Sequence, residues 1–152
     1  RAELGARGFE ELTRRLARAN DRFGQSDPQA AAVESGFAYV GFAIDHPGVF
    51  RIMFRPDLCD TARFVAAQEA GGRAHGELQD LVRLLAGEPL DETLSAVVWA
   101  QVHGLATLLL DGPLRRQFTQ RRELLAFVRA TLTRFARQML APAQADARNL
   151  SR

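Results

Sequence analysis

One tryptophan, three histidines and one cysteine are the chemically versatile side chains of this 152-residue chain. Trp99 and His103 stand one helical turn apart, so on a helix they share a face. Together they offer an indole N–H and an imidazole to a pocket otherwise walled by hydrocarbon. The same pair also suits plain core packing, because a buried histidine or tryptophan needs a hydrogen-bond partner whatever its role. His46 precedes Pro47 and reads as a turn residue, and His75 lies among Gly71, Gly72, Arg73 and Gly76 and reads as solvated. These histidines and Cys59 have no metal-ligand spacing, so no metal or other cofactor is expected. Cys59 has Asp57 and Asp60 close by and no cation that would activate its thiol. There is no phosphate-binding glycine loop, nucleophile elbow or carboxylate pair, and no enzymatic activity is expected.

Hydrophobic residues make up 47% of the chain and charged residues 25%, which excludes a disordered or collagen-like polymer. The length suits one domain. No apolar run reaches the roughly 18 residues of a bilayer span, so no membrane partner is expected. No basic-then-apolar leader opens the chain. A lone cysteine makes no internal disulfide, and a reduced, cytoplasmic setting is the simple expectation. The basic residues, all arginine, number 20 against 18 acidic ones. A net charge of +2 is too weak a footprint for nucleic-acid binding by these residues. Arg115-Arg116 and Arg121-Arg122 read as a solvated face.

The periodicity that must position these side chains is helical, with no sustained alternation and no hairpin signal. Phe9, Leu12, Leu16, Ala19 and Phe23 form one stripe, ended by Gly24 and weakened near its start by Gly5 and Gly8. Asp27-Pro28 reads as a cap and first-turn proline for a helix reaching Asp45, with Val33, Phe37, Val40 and Ile44 on one face. A short helix over Pro47 to Phe54 follows. Asp60 or Thr61 starts the next, which Gly71-Gly72 is expected to kink or split and Gly87-Glu88-Pro89 to close. Asp91 caps a helix to Leu110, stopped by Asp111-Gly112-Pro113. A last helix covers Gln120 to Leu140, and Pro142 stops it. The expectation is an all-α, antiparallel bundle of about six helices.

The stretch from Leu94 to Leu110 carries no charge. Trp99, His103, Ala106 and Leu110 share one face; Leu94, Val98, Leu105 and Leu109 share another. Thr93, Ala100, Gly104 and Thr107 make a third face of small residues, where a neighbouring backbone can come close. Such a helix needs cover on every side. The last helix has its own spare apolar positions at Leu125, Leu132 and Ala136. These features predict a homodimer whose two long C-terminal helices form a four-helix bundle across a two-fold axis, with Ala100, Gly104, Thr107, Leu125, Leu132 and Ala136 in the interface.

Trp99-x-x-x-His103-Gly104 resembles the signature of the WHG-type C-terminal regulatory domain of TetR-type transcriptional regulators. The stretch from Tyr39 to Phe54, with its Tyr, Phe-Ala, His-Pro, Phe-Arg and Met-Phe steps, resembles a second block of that domain. The likeness spans about Gln29 to Leu140. It implies a homodimer that binds operator DNA through an N-terminal helix-turn-helix and releases it when a small, often hydrophobic effector enters the C-terminal domain. No helix-turn-helix precedes Arg1, so operator DNA is expected only through a missing N-terminal domain. Residues 1–24 are then expected to be a connector helix, 25–142 the ligand-binding and dimerisation domain, and 143–152 a flexible tail.

Phe37, Tyr39, Phe42, Phe50 and Phe54 form a dense aromatic cluster, read either as core or as the wall of a cavity. On the second reading Phe37, Val40, Phe50, Met53, Phe64, Trp99 and His103 bind the ligand. Its binding is expected to move the first helix and the short helix from Pro47. A small-molecule or haem carrier with no link to DNA is the alternative reading.

Overall fold

The computed structural model describes residues 2–23, 26–55 and 61–140, with the side chains of 2 and 61–64 outside that description. Among them run α1 (Ala2–Phe23), α2 (Pro28–Asp45), α3 (Pro47–Met53), α4 (Thr61–Ala86), α5 (Glu92–Leu110), a 3-10 turn (Pro113–Gln117) and α6 (Arg121–Met139). No strand occurs among the described residues. Cys59, Asp60, Pro142 and the tail from 143 lie outside them.

Local chemistry explains the boundaries. The Asp27 carboxylate accepts from the Ala30 N–H at 3.0 Å, and Pro28 takes the first helical position where its missing N–H costs nothing. Asp91 accepts from the Leu94 N–H at 2.8 Å in the same way. Gly87, at φ 80°, supplies the left-handed residue that ends α4. A Cβ on Gly112 would lie 2.7 Å from the Leu108 carbonyl oxygen, so only glycine fits the tight exit from α5. Proline-led residues 113–117 then wind one 3-10 turn, which the hydrophobic pattern does not reveal.

The helix at the centre is α2 rather than α5. α1, α5 and α6 all pack against it, and α1 lies lengthwise on α4. Val40, Phe42 and Ala43 of α2 are almost fully enclosed, as are Leu12, Leu109, Leu124 and Val128. Gly36 lets α5 and α6 reach α2 together. A Cβ there would lie 3.0 Å from Leu132 Cδ2 and 3.3 Å from Val102 Cγ1. Gly8, which lowers helix propensity, is where α1 meets α3. A Cβ at this position would fall 2.6 Å from both Met53 Sδ and Val49 Cγ1. Tertiary contact thus overrides propensity, and α1 begins well before it.

Gly71-Gly72 does not break α4, which is continuous through both. The helix packs along α1, with the Phe9 ring beside Gly71. Three helices are tied at Asp45 of α2, whose carboxylate accepts from Arg15 of α1 and Arg121 of α6. Burial alone would raise its pKa; the two guanidinium bonds outweigh that and hold it below the ordinary value.

By length and composition α5 could cross a bilayer: it has 19 residues and a mean hydropathy of 1.5 over its apolar window. The expectation that no segment reaches this length is therefore corrected. In the fold, six of its residues, from Ser95 to Leu109, are buried against the rest of the chain. The opposite face is left bare, with Val97, Ala100, Thr107 and Leu108 exposed and Gly104 half-buried.

Candidate ligand cavity

Five segments enclose a cavity of about 500 Å³. α1 contributes Phe9, Leu12 and Leu16, one stripe at steps of three and four. α2 contributes Tyr39, the end of α3 places Phe54, and α5 places Trp99. α4 passes Gly71, Gly72, Ala74, His75 and Leu78 along the remaining wall. The two glycines that look like a helix break leave this volume empty, because they carry no side chain to fill it. Among the described residues no arginine, lysine or carboxylate lines the cavity. Trp99 is 44% exposed and its ring lies 6.0 Å from that of exposed His75, which places both at the cavity's open side.

A hydrogen-bonded aromatic partition closes the inner side. Tyr39 Oη lies 2.8 Å from His103 Nδ1. Burial pushes the Tyr39 phenol far above its usual pKa, an effect that hydrogen bonding from the Trp99 indole N–H only partly opposes. The hydroxyl is therefore protonated at neutral pH. Between the Tyr39 and His103 rings the contact is one hydrogen bond, in which the imidazole tautomer decides which side donates. The His103 ring is stacked on Phe50 at 5.5 Å and meets Phe54 edge-on at 4.6 Å. Beyond this partition lies a second cavity of about 200 Å³, lined by Phe50, Phe54, His103, Thr107 and the Arg51–Asp111 ion pair among others.

Burial lowers the His103 pKa below the ordinary 6.5. Below pH 6.5 the unfolded chain then binds more protons at this residue than the folded chain does. His103 should thus contribute no pH dependence above about pH 7 and a loss of stability as pH falls from 6.5 toward the folded value. Urea midpoints between pH 5.5 and 8 should show this slope in the parent and a flatter one in His103→Gln.

Of the six expected ligand residues whose side chains are described, the structure places only Trp99 on the large cavity. Phe50 and His103 line the second one. Val40 and Met53 are buried in the core, 0% and 9% exposed. Phe37 faces α6 and lies under the Arg129 guanidinium, 4.3 Å from its carbon to the ring centre. It stands two residues from Tyr39, about 200° around the helix, so the two cannot face one space. The Phe64 side chain lies outside the described residues. Of the expected interface residues, Ala100 and Thr107 are exposed, and Gly104 and Leu125 half-buried. Leu132 and Ala136 are 2% and 3% exposed, already covered by the chain's own helices. The walls from α1 and α4 escape sequence reasoning, because a stripe lining a void and a stripe filling a core have the same period. Gly71-Gly72 beside Ala74 was the available signal.

No group of three or more histidine, cysteine, aspartate or glutamate side chains among the described residues is placed to hold a metal. The geometry defines an all-helical binding domain, with an apolar cavity between its first helix and the rest. Residues 32–132 match the family described as the tetracycline repressor-like C-terminal domain, and the chain belongs to that family. Members are regulatory domains that generally dimerise and bind small-molecule effectors. A solved structure of a protein of unknown function from Rhodococcus sp. RHA1 is similar, at 27% identity and a TM-score of 0.67. The match covers 88% of this chain and 69% of that one. No curated protein matches.

Proposed function

We propose that this chain is the effector-sensing and dimerisation region of a TetR-type transcriptional repressor of the WHG kind. The effector is small and largely apolar. The observation that carries this reading is the composition of the cavity wall: Phe9, Leu12 and Leu16 belong to α1, and Phe54 follows α3. A guest there touches the helix that would connect to a DNA-reading head. Ligand binding shifts a two-state balance only through contacts that differ between the states. α1 and α3 are the elements in position to provide them. Operator DNA is bound through the N-terminal helix-turn-helix domain of the full-length repressor.

The bare face of α5 supports homodimerisation. Val97, Ala100, Gly104, Thr107 and Leu108 give a surface of small and apolar groups on which a second copy can close. Leu132 and Ala136 support that interface from behind, through the core. The protein works in the bacterial cytoplasm, where operator and effector meet.

Native mass spectrometry of the protein purified from its own host tests the reading. The expected species is a dimer retaining a small molecule. A monomer that takes up no apolar compound would overturn it. Structures with and without that molecule should differ in the position of α1, and an unmoved α1 would remove the mechanism.

A further inference from the structure

The large cavity has a polar annex. A second space of about 40 Å³ shares Leu16, Tyr39 and Leu78 with it as common walls. Its far side carries Asn20 of α1, Ser35 of α2 and Glu77 of α4. The Ser35 hydroxyl donates to Asn20 Oδ1 at 2.8 Å. The Asn20 amide donates to the Glu77 backbone carbonyl at 3.0 Å and to carboxylate Oε2 at 3.1 Å. Asn20 and Ser35 are 9% and 6% exposed, so this is a built corner of the interior.

The corner is short of positive charge. Glu77 has no ion-pair partner among the described residues, and its charged neighbours, Asp80 and Asp21, repel it. Arg73, one turn earlier on α4, is turned toward Glu10. Asn20 occupies one carboxylate oxygen of a group that can accept about four hydrogen bonds. Among the described residues no arginine lines either space. An anionic guest would meet uncompensated repulsion there. A space of 40 Å³ exceeds the roughly 10–15 Å³ a water needs and suits a head group of that size.

We propose that the effector is a cationic amphiphile, with an aryl or alkyl body in the large cavity and an ammonium head donating to the Glu77 carboxylate in the annex. This rests on the ligand-binding reading above and adds the ligand's charge. The walls between the two spaces are two leucine side chains and one tyrosine ring, which can part around a linking chain. The aromatic lining favours a ring in the body, since ring pairs gain beyond their buried area.

Trp99, the sole tryptophan, reports binding by its emission. Three probes with one body, 4-phenylbutylamine, 4-phenylbutan-1-ol and 4-phenylbutyrate, should separate at pH 7. The amine is expected to bind about tenfold more tightly than the alcohol, and the carboxylate most weakly. Glu77→Gln keeps an acceptor for Asn20 and removes the charge. It should weaken the amine about tenfold and leave the alcohol unchanged. An alcohol that binds as tightly as the amine overturns the charge assignment and leaves the cavity reading standing. An amine preference that survives Glu77→Gln overturns it equally. If the variant does not fold, the wild-type series decides alone. Failure of all three probes to alter Trp99 emission overturns the cavity reading as well.

Discussion

Ala74→Phe is expected to weaken binding of an apolar ligand about thirtyfold while leaving the unliganded protein at least as stable as the parent. Ala74 is buried on α4 and its methyl group faces the cavity. A phenyl ring at this position takes space that the guest would otherwise fill. Displacing one ring's worth of ligand from contact forfeits about 2 kcal/mol of burial, which corresponds to that thirtyfold loss. The effect on the free protein has the opposite sign, because the ring covers apolar wall that otherwise lacks contacts. Titration of Trp99 emission with 4-phenylbutylamine gives the first quantity and a urea midpoint the second. Parallel loss of both would mean that Ala74 supports the core and not the guest's space.

Phe42→Ala should cost about 3–5 kcal/mol, the usual range for truncating a fully enclosed phenylalanine. Its ring is 1% exposed and does not line the large cavity. It also carries the Arg15 guanidinium over its face, 5.5 Å from the ring centre, where α1 crosses α2. A domain of this kind has only about 5–15 kcal/mol of total stability. The variant should therefore be near its unfolding threshold at 25 °C. A urea melt should show a lower midpoint with unchanged slope, since the surface exposed on unfolding is nearly the same. A loss below 1 kcal/mol would mean that the α1–α2 crossing is looser than the packing indicates. The two substitutions form a contrast: one lowers binding without lowering stability, and the other lowers stability at a residue remote from the guest.

Much of the fold was legible in the residues. Asp27-Pro28, Asp91 and Gly87 each act through a hydrogen bond or a backbone angle that involves only near neighbours, so the helix starts and stops they mark are where the sequence places them. The Trp99–His103 spacing puts both residues on one side of α5, and their rings lie 6.1 Å apart. The partner of His103 was less accessible. Tyr39 lies 64 positions away, and only the packing of α2 on α5 brings its hydroxyl to the imidazole.

Composition and periodicity by themselves determined the helical class and the order of the helices, while the blocks around Tyr39 and Trp99 carried the resemblance to the family. These depend on interactions within a few turns of chain. Tertiary structure alone decided that α2 is the central helix, that Gly71-Gly72 opens a wall instead of breaking α4, and that Asn20, Ser35 and Glu77 meet at one corner. A void is a property of several segments at once: each apolar stripe looks the same whether a neighbour fills the space before it or leaves it open. Helical periodicity specifies which way a side chain points, and the packing of distant segments specifies what it meets there.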